Sequence, residues 1–111
     1  MDIKAIETDL SNKLSKKRFI HTLGVVNSAM YLAKKYGANI EDAHLAALLH
    51  DCAKEIPLLE MRDLVVDLPC DQDMLHSGAL LHGLAGMVLA NTQYGVTNPD
   101  ILEAIRVHTT G

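Results

Sequence analysis

Ala47-Leu48-Leu49-His50-Asp51-Cys52-Ala53-Lys54-Glu55 is the stretch from which the fold is read. The run from Ala43 to Leu49 is apolar apart from His44, which marks a central, buried helix. A carboxylate directly after such a run is costly to bury unless it is paired or ligates a cation. Neighbouring residues on a helix point about 100° apart, so a His-Asp doublet in mid-helix would not converge on one centre. At a helix end the backbone can turn, and both side chains then reach the same point. His50 and Asp51 are therefore the candidate core of a metal site.

Upstream of this stretch, Ile3, Ile6, Leu10 and Leu14 recur at helical spacing, which predicts a first helix over 2–14. Ser15 is the expected N-cap of a second helix. Its stripe is Phe19, Leu23, Val26, Met30 and Ala33, and Gly37 stops it. Asn39 caps the third helix, with Asp42 in its first turn. Downstream, Pro57 opens a fourth helix whose core face is Leu58, Leu59, Met61, Leu64 and Val65. Asp67 to Asp73 holds Pro69 and three acids, and is expected to be a loop. A helix from about Met74 or Leu80 should run to Tyr94 and close at Gly95. Asn98-Pro99 is a start signal for the last helix, which carries Ile101, Leu102, Ile105 and His108. No stretch alternates with period two and no internal repeat is visible. The fold class is all-α, with five or six helices.

A chain of 111 residues suits a single domain, and 49% hydrophobic residues exclude a disordered composition. Trp is absent and aromatics are scarce, so the core must be aliphatic. The net charge of -4 argues against a non-specific nucleic-acid binder. Cys52 and Cys70 form no C-x-x-C pair, and reduced thiols in a cytosol are expected. The N-terminus opens an amphipathic stretch in place of a signal peptide, and no apolar run approaches a membrane span. The expectation is a soluble, cytoplasmic protein with no membrane partner.

Six histidines are many for this length. His21 lies in the second helix, and His82 and His108 lie in the last two. A mixed imidazole and carboxylate set suits Fe, Mn, Co or Zn and leaves positions open for water and substrate. Water on such a metal becomes a nucleophile near neutral pH, and the metal polarises a phosphoryl oxygen. Histidines further out could ligate a second metal or donate hydrogen bonds to phosphate. His44 is expected on the exposed side of its helix and His76 beside the acidic loop, neither with a role. Cys52 is expected to be a small buried thiol. Gly83 and Gly86 are no dinucleotide fingerprint, because no strand precedes them.

Four local sequences, in order, carry a resemblance. They are Lys17-Arg18-Phe19-Ile20-His21-Thr22-Leu23-Gly24-Val25, the His50-Asp51 stretch quoted above, Leu81-His82-Gly83, and Glu103-Ala104-Ile105-Arg106-Val107-His108-Thr109-Thr110-Gly111. Together they resemble the YqeK-type branch of the HD-domain superfamily, over essentially the whole chain. The resemblance implies an HD-domain helical bundle and a symmetrical hydrolase of dinucleoside tetraphosphates. Such an enzyme cuts diadenosine tetraphosphate to two ADP at an iron-type centre. It implies His21, His50 and Asp51 as metal ligands, and Lys54 as a phosphate-binding cation. His82 and His108 match histidines on the phosphate and second-metal side. Arg18, Thr109 and Gly111 match positions near the bound nucleotide.

The implied catalytic set is Asp51, Lys54, His82 and His108, with Asp51 also able to orient the attacking water. Iron comes from the resemblance; ligand chemistry alone also admits Mn, Co, Ni or Zn. HD relatives also cut mononucleotides, deoxynucleoside triphosphates or cyclic nucleotides. A non-catalytic nucleotide- or metal-binding fragment is the alternative of a different class. A small nucleotide is the expected partner, and a homodimer would be unsurprising. The family's pattern adds an Asp on a later helix, and this sequence reaches Gly111 without it. The expectation is one HD domain over 1–111, C-terminally incomplete and lacking the family's last helices.

Overall fold

The computed structural model describes residues 2–108. Its elements, in order, are α1 (Ile3–Lys13), α2 (Lys16–Tyr36), α3 (Ile40–Leu49), α4 (Leu58–Leu64), α5 (Gln72–Leu75), α6 (Gly78–Thr92) and α7 (Pro99–Val107). No strand occurs among the described residues. Short polar residues start every one of these helices but α4, which Pro57 opens, by taking up free backbone N–H groups. Asp2 accepts from the Ala5 amide, Ser15 from Arg18, Asn39 from Asp42 and Asn98 from Asp100. Gly37 closes α2 in the left-handed region, at φ 75°, where a Cβ would be strained.

The expected boundaries of the first four helices and the last agree with these elements. Three expectations need correction. The 67–73 segment is not loop throughout, because Asp71 accepts from the Met74 amide and starts α5 at Gln72. The following long helix begins at neither Met74 nor Leu80 but at Gly78, with Ser77 as its cap. Two capping signals stand close together here, and α5 is the short element between them. It brings the number of helices to seven. His44, expected to be exposed, is half-buried.

Two apolar clusters form the core. The larger joins Ile6, Leu10 and Leu14 of the N-terminal segment to Val26, Ala47–Leu49, Ala90, Tyr94, Ile101 and Ile105. The smaller joins Ala53 to Met61, Val65, Leu81, Leu84 and Ala85. α6 belongs to both, and each residue from Leu81 to Gly86 is buried. A helix apolar on all sides is expected to be enclosed in this way. Leu48 and Leu49 are completely buried, and a side chain of this size contributes roughly 1.5–3 kcal/mol on burial. They anchor the end of α3, and with it the residues that follow.

Candidate metal centre

The chain leaves α3 through consecutive tight turns. The Cys52 amide donates to the Leu49 carbonyl, Lys54 to Asp51 and Ile56 to Ala53. This turn redirects Asp51 so that its side chain shares a centre with His50. Glu55 fastens the far end of the turn, accepting from the Ser15 amide at 2.7 Å and so tying it to the start of α2. That hydrogen bond holds the Glu55 carboxyl below its usual range.

Four elements deliver groups to the Asp51 carboxylate, which is 6% exposed. From α2 come Arg18 and His21, one turn apart on the same face. Arg18 Nη1 lies 3.3 Å and His21 Nε2 3.8 Å from Asp51 Oδ2. His50, at the end of α3, places Nε2 3.1 Å from the same oxygen. His82 of α6 and His108 at the end of α7 approach the other oxygen, Oδ1, at 3.2 and 3.1 Å. Two potential ligand trios result, His21–His50–Asp51 and Asp51–His82–His108, each with donor atoms within 4.8 Å of one another. Asp51 belongs to both.

The tautomers test whether a cation fits. His50 Nδ1 faces the Ala47 carbonyl at 2.5 Å, His82 Nδ1 the Gly78 carbonyl at 3.1 Å, and His108 Nδ1 the Ile105 carbonyl at 2.6 Å. A carbonyl only accepts, so each ring carries a hydrogen on Nδ1; in the neutral ring the Nε2 lone pair then points inward, and in the protonated ring Nε2 donates to Asp51. His82 and His108 thus face each other through Nε2 at 3.0 Å, above a carboxylate oxygen. Lone pairs converging in this way repel one another unless positive charge is placed among them. The donor set fits a divalent cation, and orientation of a ligating His through its other nitrogen is the usual arrangement at metal sites.

The same charge balance appears in the titration behaviour. Burial favours the neutral Asp51 acid, but hydrogen bonds from His108, His50 and His82 outweigh it and hold the carboxyl far below its usual range. Burial opposes a charged His50, yet its bonds to Asp51 and the Ala47 carbonyl raise its pKa. Cys52 stays out of this chemistry. Burial pushes its thiol up to about 12, and its Sγ donates to the Gly86 carbonyl at 3.5 Å. It is the inert buried thiol expected from the sequence.

The structure thus brings together His21, His50, Asp51, His82, His108 and Arg18. It does not add Lys54, whose half-buried side chain makes no ion pair or hydrogen bond among the described residues. Thr109 and Gly111 lie outside the described residues. His76 is exposed and binds only the Gln72 carbonyl of its own helix. Gly86 was not singled out by sequence reasoning for any role in the site. The available signal was a glycine one turn after His82 in an otherwise apolar helix.

Comparison with known proteins shows the family. The HD domain family profile matches residues 18–111. The chain belongs to the HD-domain family. Among curated relatives of this HD domain is the symmetrical bis(5'-nucleosyl)-tetraphosphatase of Bacillus subtilis, 39% identical over 92% of this chain and 55% of the relative. The protein of the same name from Halalkalibacterium halodurans is 43% identical over 88% of this chain and 53% of the relative. That from Staphylococcus aureus is 33% identical over 100% of this chain and 58% of the relative. This HD domain therefore spans about half the length of the curated relatives it matches. Among solved structures, a Clostridium acetobutylicum protein superposes with a TM-score of 0.94 at 37% identity. It is described as a predicted HD superfamily hydrolase involved in NAD metabolism, and the match covers 100% of this chain and 60% of that one.

Proposed function

We propose that this HD domain belongs to a metal-dependent phosphohydrolase that splits dinucleoside tetraphosphates symmetrically. Diadenosine tetraphosphate and one water would give two ADP. The observation that carries this reading is the shared Asp51 carboxylate, with imidazole Nε2 atoms converging on both of its oxygens. The names of the relatives supply the substrate class.

In this reading His21, His50 and Asp51 hold one divalent metal, and His82 and His108 either join Asp51 in holding a second or donate hydrogen bonds to the phosphate. A bound metal of this type lowers the pKa of water and polarises a phosphoryl oxygen. Asp51 orients the attacking water. The water oxygen forms a bond to a phosphorus in the middle of the chain, the bridging P–O bond breaks, and the departing ADP oxygen is left to be protonated. Arg18 and Lys54 neutralise the polyphosphate, Lys54 mainly by strengthening substrate binding. Thr109 and Gly111 are proposed to contact the nucleotide. Iron is the proposed metal, although imidazole with carboxylate also suits Mn, Co, Ni or Zn.

No helix among the described residues is long and apolar enough to cross a membrane. A cytoplasmic location, a homodimer and a single HD domain over 1–111 complete the proposal. The test is product analysis after anaerobic loading with ferrous or manganous salt. ADP as the sole nucleotide product supports symmetrical cleavage. AMP with ATP, or turnover of mononucleotides alone, would replace the proposed substrate.

A further inference from the structure

Gly86 stands where three of the segments carrying the centre meet. It follows His82 by one turn on α6, so the two share a face. A Cβ built on Gly86 would lie 3.3 Å from Ile105 Cγ2, 3.6 Å from Cys52 Sγ and 3.8 Å from the His50 carbonyl oxygen. The first contact is with α7, and the others are with the turn after α3. Ile105 is completely buried, and its carbonyl is the group that orients His108 through Nδ1.

The backbone does not call for glycine here, since the positive-φ glycines are Gly37 and Gly95. Helix propensity favours alanine at such an interior position. The lack of a side chain therefore answers to packing between α6, α7 and the His50–Cys52 turn. Those three segments carry Asp51, His82 and His108, whose mutual distances are 3.0 to 3.2 Å.

We propose that Gly86 is a positioning residue that sets the spacing of the Asp51–His82–His108 trio. An added methyl must push Ile105 by a few tenths of an ångström. That displacement carries the Ile105 carbonyl, and His108 with it, away from His82. Metal sites tolerate ligand distances only within about 0.2 Å, so a shift of this size matters at the trio. His21, on α2, is not among the groups that the methyl would meet. The consequence for metal binding rests on the proposed function, whereas the spacing itself does not.

The test uses G86A, I105L and the double variant. Leucine keeps the volume of isoleucine but has no methyl branch at Cβ, so I105L removes the contact at 3.3 Å. In the metal-free protein, the imidazole Hε1 resonances of His82 and His108 should shift in G86A while those of His21 and His76 stay. The double variant should bring them back. In a Mn2+ titration, G86A should bind about tenfold more weakly, as expected for disturbed support of a ligand, and the double variant should recover. Unmoved His82 and His108 resonances, equal shifts at all four histidines, or no recovery in the double variant would overturn the inference. So would a G86A protein that loses its fold, because a displacement of tenths of an ångström cannot unfold it. If the resonances behave as expected but no variant binds Mn2+, the spacing role stands and the metal reading falls.

Discussion

His82 and His108 bring their Nε2 atoms to 3.0 Å from each other, and each lies within 3.2 Å of the same Asp51 oxygen. Both rings hand their Nδ1 hydrogens to carbonyls of their own helices. With both rings neutral, two lone pairs and a carboxylate oxygen share a small volume between α6, α7 and the turn after α3. A divalent cation resolves this crowding of negative charge, which makes the pair more informative than either histidine alone.

The first expectation concerns that pair. Loss of an outer group behind a metal ligand costs about 10–100-fold in affinity, so loss of a ligand itself should cost about a hundredfold. His108→Ala should weaken Mn2+ binding by that amount with unchanged far-ultraviolet circular dichroism. An unaltered titration would remove His108 from the ligand set.

Lys54 has no protein partner for its ammonium among the described residues. It is therefore available to an anion, three positions after Asp51. Lys54→Ala should raise the Michaelis constant for diadenosine tetraphosphate about tenfold, the size of one charge-assisted hydrogen bond, and leave kcat nearly unchanged. Equal constants in the two proteins would assign Lys54 to the surface.

Thr22 follows His21 on α2 but is completely buried, and its hydroxyl is the one buried side-chain polar atom without a partner among the described residues. Replacing an unsatisfied hydroxyl by a methyl of the same shape removes a desolvation cost. Thr22→Val should raise stability by about 1 kcal/mol in urea unfolding, with metal binding unchanged. A destabilised variant would show that the hydroxyl has a partner in solution.

Much of the fold was legible because its signals are local. Ser15, Asn39 and Asn98-Pro99 announce helix starts, and Gly37 announces a stop, through backbone chemistry that acts within a few residues. Asp71 and Ser77 carry the same signal, but on helices too closely spaced for apolar periodicity to separate them. In the site, His50-Asp51 was legible because a charge directly after an apolar run demands compensation. That His82 and His108 reach the second oxygen of Asp51 depends on how α6 and α7 pack, which no local pattern encodes. The role argued for Gly86 is of that kind too, being a matter of distances between segments far apart in the chain.

A hydrogen bond between distant elements gives a pH-dependent expectation. Tyr94 Oη donates to Asp9 Oδ2 at 2.6 Å, joining the segment after α6 to α1. The bond from Tyr94, then that from Lys13, holds the Asp9 carboxyl below its usual 3.8. A depressed carboxylate pKa stabilises the fold above the unfolded value, and the contribution fades as the pH falls through the folded one. Tyr94→Phe should cost about 1.5 kcal/mol at pH 7. The gap to the wild type should narrow below pH 3.8. A gap independent of pH would mean that Asp9 is not the acceptor that matters.

Metal content is the most direct test of a centre organised on Asp51. The protein is purified without chelator or nickel affinity resin, incubated anaerobically with ferrous or manganous salt, desalted, and analysed for metal alongside Asp51→Asn. About one to two equivalents of transition metal in the wild type, as expected for a one- or two-metal site, should fall nearly to zero in the variant. A wild type that retains no metal, or an Asp51→Asn protein that keeps its full complement, would contradict the assignment.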